Sequence, residues 1–401
     1  MAARLVVTTT LGGLALTMAQ ASAARADPSL DTRVLRPSAD PRAGLVLEPV
    51  STPGPLEWNV GTWLRYAQAP VLLRDPSSGG VVSRPVEHRL SMDVIAGLGL
   101  GDRVLVGVDV PVFLWQDGGS SLPSGVVAGG RADQNGLGDV GLLGKVTVVR
   151  NERQGLRGGF GLAVLGDVTL PTGDRNGFEG EGAATVSGRI AAEMALGVGA
   201  LQAQLGVRAR TAERTWPEEG VGALRFGQSI PWSFGLVVRP RALLPVLDAS
   251  DGQVWELALH GSLPAGPVAP FGLGSPGAPE LSPALLALDD RVAVLRSRDA
   301  YLVFGVDIGL DHAVGVPMLE GVVAFGWAPR PHDEDRDGVP DDADQCPELP
   351  EDRDGIQDDD GCPEDDADGD GVRDGDDACP LVPGVASSES GRNGCPPSGT
   401  K

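Results

Sequence analysis

Residues 103–115 read RVLVGVDVPVFLW, with Val104, Val106, Val108, Val110, Val112 and Leu114 on one face and Arg103, Gly107 and Asp109 on the other. Strand side chains alternate between two faces, so this stretch is a strand with one apolar side. Residues 138–150 repeat the pattern, with Val140, Leu142, Val146 and Val148 opposing Asp139, Lys145 and Thr147. Residues 185–196 repeat it again, Val186, Ile190, Met194 and Leu196 standing against Thr185, Ser187, Arg189 and Glu193. In 201–210 the polar face carries Gln202, Gln204, Arg208 and Arg210.

About twelve such segments follow one another: 57–67, 86–98, 103–115, 137–150, 156–170, 183–196, 200–211, 222–238, 253–263, 281–296, 300–310 and 316–328. Most are longer than the roughly 5 to 6 residues of an ordinary soluble strand and match the roughly 9 to 11 that cross a bilayer at a tilt. Short connections (99–102, 151–155, 197–199, 297–299) alternate with long ones (68–85, 116–136, 171–182, 212–221, 264–280), as in outer-membrane barrels with periplasmic turns and external loops. Two connections break that rule, 239–252 being long for its side and 311–315 short. The expected fold is all-β: an antiparallel transmembrane β-barrel of about twelve strands over 57–330, with both ends periplasmic. Trp58, Tyr66, Trp115, Trp232, Trp255, Tyr301 and Trp327 sit near strand ends and are expected to form sparse aromatic girdles. The alternative is a soluble protein of β-sandwiches, whose core would have to bury Arg, Glu and Asp without water.

Residues 1–26 carry Arg4, the apolar run 5–18 and then the small residues Ala19, Ala21, Ser22, Ala23, Ala24 and Ala26, the pattern of a secretory signal peptide. Ala24-Arg25-Ala26 and Ala21-Ser22-Ala23 both fit a cleavage site. Residues 27–56 are expected to be flexible or to plug the lumen. Of the net charge of −23, most falls after His332, where 23 acidic residues face 5 basic ones. That balance argues against nucleic acid as a partner. All 17 aromatics lie between Trp58 and Trp327 and all four Cys beyond them, which puts a domain boundary near Pro331.

Gly136-Leu137-Gly138-Asp139-Val140, followed by Lys145, and Leu170-Pro171-Thr172-Gly173-Asp174 resemble strand motifs of Gram-negative outer-membrane barrels of the transporter-like and phenol-degradation-pathway type. The resemblance implies a barrel and names no solute.

The tail, 331–401, contains a repeat. Asp333, Asp335, Asp337, Gly338, Asp341, Asp344, Cys346 and Pro347 recur 33 residues later as Asp366, Asp368, Asp370, Gly371, Asp374, Asp377, Cys379 and Pro380. Calcium takes about 6 to 8 oxygen ligands, and loops that hold it place carboxylates at alternate positions around a sixth-position Gly. With Asp333 first, Asp335, Asp337, Asp341 and Asp344 follow at ligand positions and Val339 supplies a carbonyl; in the second copy Asp366 to Asp377 repeat the set with Val372. Between the copies, Asp352, Asp354 and Asp358 keep only the middle of the pattern. Without metal such a chain would be a solvated acidic linker. Cysteines in an exported protein imply disulfides, and three pairings are open for Cys346, Cys362, Cys379 and Cys395. One bridge per repeat, Cys346 with Cys362 and Cys379 with Cys395, is favoured. The Asp ladder, the Cys-Pro pairs and Asn393-Gly394-Cys395-Pro396 resemble thrombospondin type 3 repeats, in the bacterial version that joins a barrel to an OmpA-like peptidoglycan-binding domain. That domain would begin where the sequence ends, at Lys401, so binding to the wall through it is not expected.

No catalytic motif stands out. His88, His260, His312 and His332 lack metal-ligand spacing, and Gly97-x-Gly99-x-Gly101 is expected to be a turn. Glu193, Glu256 and Asp307 on the polar face are expected to balance Arg189, Arg208, Arg210 and Arg225 in a hydrated lumen. The function expected is envelope structure or passive passage of small solutes in the outer membrane. The expected partners are lipid, calcium and periplasmic or cell-wall components. The alternative is a secreted calcium-dependent adhesion protein.

Overall fold

In a computed structural model, the described residues are 31–74, 80–118, 135–151, 159–173, 178, 180–196, 198–216, 224–240, 253–265, 281–294, 299–329, 339, 351, 366, 368–373 and 376–397. Residues 1–26, expected to be a signal peptide, lie outside them. The strands are β1 (Trp58–Arg74), β2 (Val81–Leu100), β3 (Val104–Asp117), β4 (Gly136–Leu137), β5 (Gly141–Asn151), β6 (Phe160–Thr169), β7 (Thr185–Leu196), β8 (Gly199–Arg210), β9 (Arg214–Trp216), β10 (Leu224–Phe226), β11 (Ser229–Val238), β12 (Val254–Pro264), β13 (Ala284–Val294), β14 (Ala300–Gly309) and β15 (Leu319–Trp327).

Every neighbouring pair in the main sheet is antiparallel, and β1 hydrogen-bonds both β2 and β15, from Val60 opposite Trp327 to Gln68 opposite Leu319. The sheet therefore closes on itself through twelve long strands, with β4 a two-residue addition beside β3. Closure removes the edges that a sandwich would leave, so the sandwich alternative falls. Twelve is even, and the start of β1 lies at the same end of the barrel as the end of β15.

Outward positions are apolar. Ile190 and Leu205 face each other across β7 and β8 at 59% and 60% exposure, and Leu64, Val106, Leu142, Phe234, Phe304 and Val323 continue the exposed belt around the wall. Water would penalise such a surface; a bilayer core does not, and in lipid only a closed sheet or a helix satisfies its own backbone. The crossing is made by strands: among the described residues no helix is long and apolar enough to span.

Four expectations from the sequence change. The stretch 68–85 is not a loop, because β1 and β2 run on as a paired ribbon to Arg74 and Val81. Register shifts between Gln68 and Arg74, and a left-handed Ala69 at φ 55°, break the alternation there without ending the pairing. The expected strand 222–238 is two elements: β11 belongs to the barrel, whereas β10 folds back on β9 as a separate hairpin. Gly97 and Gly99 lie inside β2, and only Gly101, at φ +69°, makes the turn. A Cβ on Gly97 would lie 2.4 Å from the Ala39 carbonyl oxygen, so this glycine makes room for another chain segment in the lumen. The girdle also thins: Trp58, Tyr66, Trp115 and Trp255 face outward, but Tyr301 is buried under the Arg291 guanidinium, 4.6 Å from its ring centre.

The lipid-facing assignment gives the first prediction. Ile190→Arg places a charge on the belt and should destabilise the folded barrel in vesicles by about 2–4 kcal/mol if the position is near the bilayer midplane. Urea unfolding from lipid vesicles measures it; a change below roughly 0.5 kcal/mol, the size of an ordinary surface effect, would contradict the assignment.

Candidate functional site in the barrel lumen

Residues 31–57 have no regular secondary structure, yet many of them are buried, Leu45 and Leu47 to 2% and 1% exposure. Buried backbone must find partners, and here the wall provides them. The Leu45 N–H donates to Asp289 Oδ2 at 3.0 Å, and the Val46 and Leu47 N–H groups donate to the Glu256 carboxylate at 2.8 and 3.1 Å. Glu256 and Asp289 stand directly opposite each other on β12 and β13, so two neighbouring carboxylates grip one turn of chain. Gly44 permits that approach, since a Cβ there would lie 2.2 Å from Glu256 Oε2.

On the opposite wall Lys145 of β5 projects inward at 2% exposure and forms an ion pair with Asp40, with Glu48 Oε2 at 3.4 Å, and donates to the Pro49 carbonyl at 3.0 Å. Thr147 donates to the Val50 carbonyl. The chain thus leaves the β5 wall at Asp40, reaches β12 and β13 at residues 45–47, and returns to β5 by residue 50. β5 and β12 lie on opposite sides of the closed sheet, so the segment bridges the lumen twice.

Charges fasten its outer part. Arg33 bridges Asp31 and Asp93, both at 2.9 Å, and Arg36 reaches Asp31 at 2.7 Å and Asp109 at 3.9 Å. Arg65 pairs with Glu320 and donates to the Leu35 carbonyl, and Arg89 donates to Thr32 Oγ1. Where the segment is apolar the wall is too: Leu45, Val46 and Leu47 pack with Trp63, Ile95, Leu105 and Val303. The lumen is therefore not lined throughout by polar side chains balancing one another. Glu193 accepts from Gln202, Asp307 pairs with His260 at 2.8 Å, and Arg189 lies 3.8 Å from Asp167, which corrects the expected pairing among the polar-face charges. Sequence reading missed Asp31, Arg33, Arg36, Asp40 and Glu181; a run of alternating charges ahead of the first strand was the signal present.

The two motifs noted in the sequence meet at the end of the barrel away from the termini. Thr172 Oγ1 accepts from the Val140 N–H and donates to the Gly138 carbonyl, and the Asp139 carboxylate accepts the Gly173 and Glu181 N–H groups at 2.8 and 2.7 Å. This rim fixes Glu181, which holds Arg208 at 3.3 Å and Arg210 at 3.0 Å. A closed sheet with an apolar belt and a polar, segment-filled interior fits one setting. The chain is an outer-membrane β-barrel.

No known family profile matches the chain, and no curated protein matches it in sequence. Solved structures similar in shape include an outer membrane channel from Pseudomonas putida F1, at 12% identity and TM-score 0.49 over 70% of this chain and 99% of that one. The NanC porin gives 5%, TM-score 0.37, 68% and 99%. OccK5 of Pseudomonas aeruginosa gives 10%, 0.30, 69% and 98%. The strand pairing above, not these likenesses, carries the barrel assignment.

In the tail, carboxylate oxygens of Asp366, Asp368 and Asp370 lie within 4.8 Å of one another, about twice a calcium–oxygen distance. Asp366 accepts the Gly369 and Gly371 N–H groups, and Gly371 takes φ +88°, the left-handed turn that glycine tolerates best. Asp368 Oδ2 and Asp377 Oδ2 are buried atoms without a hydrogen-bond partner among the described residues. The Asp368 carboxyl sits above its ordinary value, through desolvation and then the charges of Asp370, Asp377 and Asp366, against the lowering effect of the Asp370 N–H. Val372 is buried, its N–H on Asp370. Cys379 and Cys395 form a disulfide with Cα atoms 5.1 Å apart, and Asn393 donates to the Asp376 carbonyl. Asp374, Cys346, Cys362, the set Asp333, Asp335, Asp337, Asp341 and Asp344, and Asp352, Asp354 and Asp358 lie outside the described residues.

Lys145→Met removes the cation between Asp40 and Glu48, and breaking a buried pair from one side costs about 3–5 kcal/mol. The segment should then become cleavable by trypsin after Arg33 or Arg42 while the barrel stays folded. Protection equal to that of the unchanged protein would contradict the ion pair's role.

Proposed function

We propose that the protein is an outer-membrane channel for passive passage of small solutes, narrowed by its own N-terminal segment, with a periplasmic tail that binds calcium. The observation that carries the first part is the segment of residues 31–56 strung across a closed, lipid-facing barrel by contacts to opposite walls. A lumen filled only by close-packed side chains would offer no path. One crossed by a segment without strand or helix, fastened at discrete ion pairs and hydrogen bonds, opens when that segment is displaced.

A second reading, an envelope element that conducts nothing, is favoured by the two crossings of the lumen. Planar-bilayer recording separates them. The channel reading expects small steps from the intact chain and at least several-fold larger ones after removal of residues 31–53. Silence from both forms would leave the structural role.

For the tail, the reading rests on the convergence of Asp366, Asp368 and Asp370 and on the thrombospondin type 3-like repeat, which extends the same ligand set to Asp333, Asp335, Asp337, Val339, Asp341 and Asp344. Asp374, Asp377 and Val372 complete the second loop in this reading. Calcium would neutralise a dense run of carboxylates and hold the loops around it. Calorimetric titration should show saturable calcium binding that Asp368→Asn weakens at least tenfold; binding that is absent, or unmoved by the substitution, would overturn it.

A further inference from the structure

A cavity of about 110 Å³ lies at the barrel end opposite the termini, between the ends of β8, β11 and β12, the β9–β10 hairpin and the outer part of the N-terminal segment. Arg33, Arg208, Arg210 and Arg225 line it, and among its described lining residues the one carboxylate is Asp31. That carboxylate is already taken by Arg33 and Arg36. Glu181, the shared counter-ion of Arg208 and Arg210, is fully buried and outside the lining, so it fixes the two guanidiniums from behind. Arg225 is exposed and forms no ion pair with a described residue. Ser229, Ser262 and Gln228 add polar groups to the wall.

We propose that this cavity is a binding site for a compact oxyanion, taken free or as the phosphate group of a small organic solute, at the outer mouth of the lumen. Guanidinium forks match the geometry of phosphate oxygens, and arginines held in place by a buried carboxylate lose little freedom on binding. Water occupies about 30 Å³ in the liquid, so the cavity has room for about three or four waters, the scale of one tetrahedral ion. Phe226 and Leu281, from the apolar cluster that closes this end, also line it and limit screening by solvent. Lipid phosphate is a poorer fit, because Arg33, Arg208 and Arg210 face the lumen and the belt outside is apolar. As a statement about which solute the lumen takes, the proposal rests on the passage reading above; as a statement about binding, it does not.

The test is calorimetric titration of inorganic phosphate into the full chain in detergent, in a phosphate-free buffer, with chloride as the control anion. Expected is one saturable site that weakens at least tenfold in Arg225→Glu, a change at an exposed side chain that forms no ion pair with a described residue. Arg208→Gln should weaken it too, and the faster gel migration of unheated protein checks that each variant is folded. Absence of saturable binding, or equal affinity in Arg225→Glu, would overturn the proposal. Glycerol 3-phosphate, titrated in the same way, distinguishes a free ion from a phosphorylated solute. Bilayer recording of the same samples keeps the two claims apart. Phosphate binding without conductance would sink passage alone, and conductance without phosphate binding would sink this site alone.

Discussion

The pairing of β1 with β15 is the constraint on which the remainder depends. Lipid offers no hydrogen bonds, so a sheet that crosses it must leave no edge. Closure then divides every strand into an outward and an inward set of side chains. The outward set has no choice but to be apolar; the inward set is free, and here it is used to hold a chain.

That chain enters at the mouth formed by the external loops and ends beside the turns near the termini, where Thr52 Oγ1 donates to the Asp102 carbonyl. Its backbone has no ladder of its own. Carboxylates on β12 and β13 therefore receive its N–H groups, and Lys145, Asn59 and Thr147 donate to its carbonyls. Ion pairs do the same for Arg33 and Asp40. A segment tied by such contacts, rather than woven into the sheet, adds no strand to the ladder that closes the barrel.

How much of this could be read from the sequence follows from the range of the interactions. Alternation such as that of Val104 to Leu114 is local and is imposed by lipid at every second position, so the barrel strands were legible. The extension of β1 and β2 was not, because Ala69 and the register shifts around Val71 disturb the period while leaving the pairing intact. The lumen segment was legible only as a possibility. Arg33 meets Asp93 across 60 residues and Lys145 meets Asp40 across 105, and no spacing rule links residues so far apart. The Asp ladder of the tail lies at the other extreme, its ligand pattern falling within twelve residues. Glu181 shows a third case: its role depends on Asp139 accepting its N–H from a rim 42 residues away.

The central claim is that residues 45–47 are bound to the far wall inside a folded barrel. Hydrogen–deuterium exchange of the detergent-solubilised full chain tests it most directly. The account predicts that the Leu45, Val46 and Leu47 amides exchange far more slowly than a free chain, and that Glu256→Gln speeds them while the amides of β12 stay protected. Exchange of residues 45–47 at the rate of an unstructured peptide, with the barrel amides protected, would contradict it.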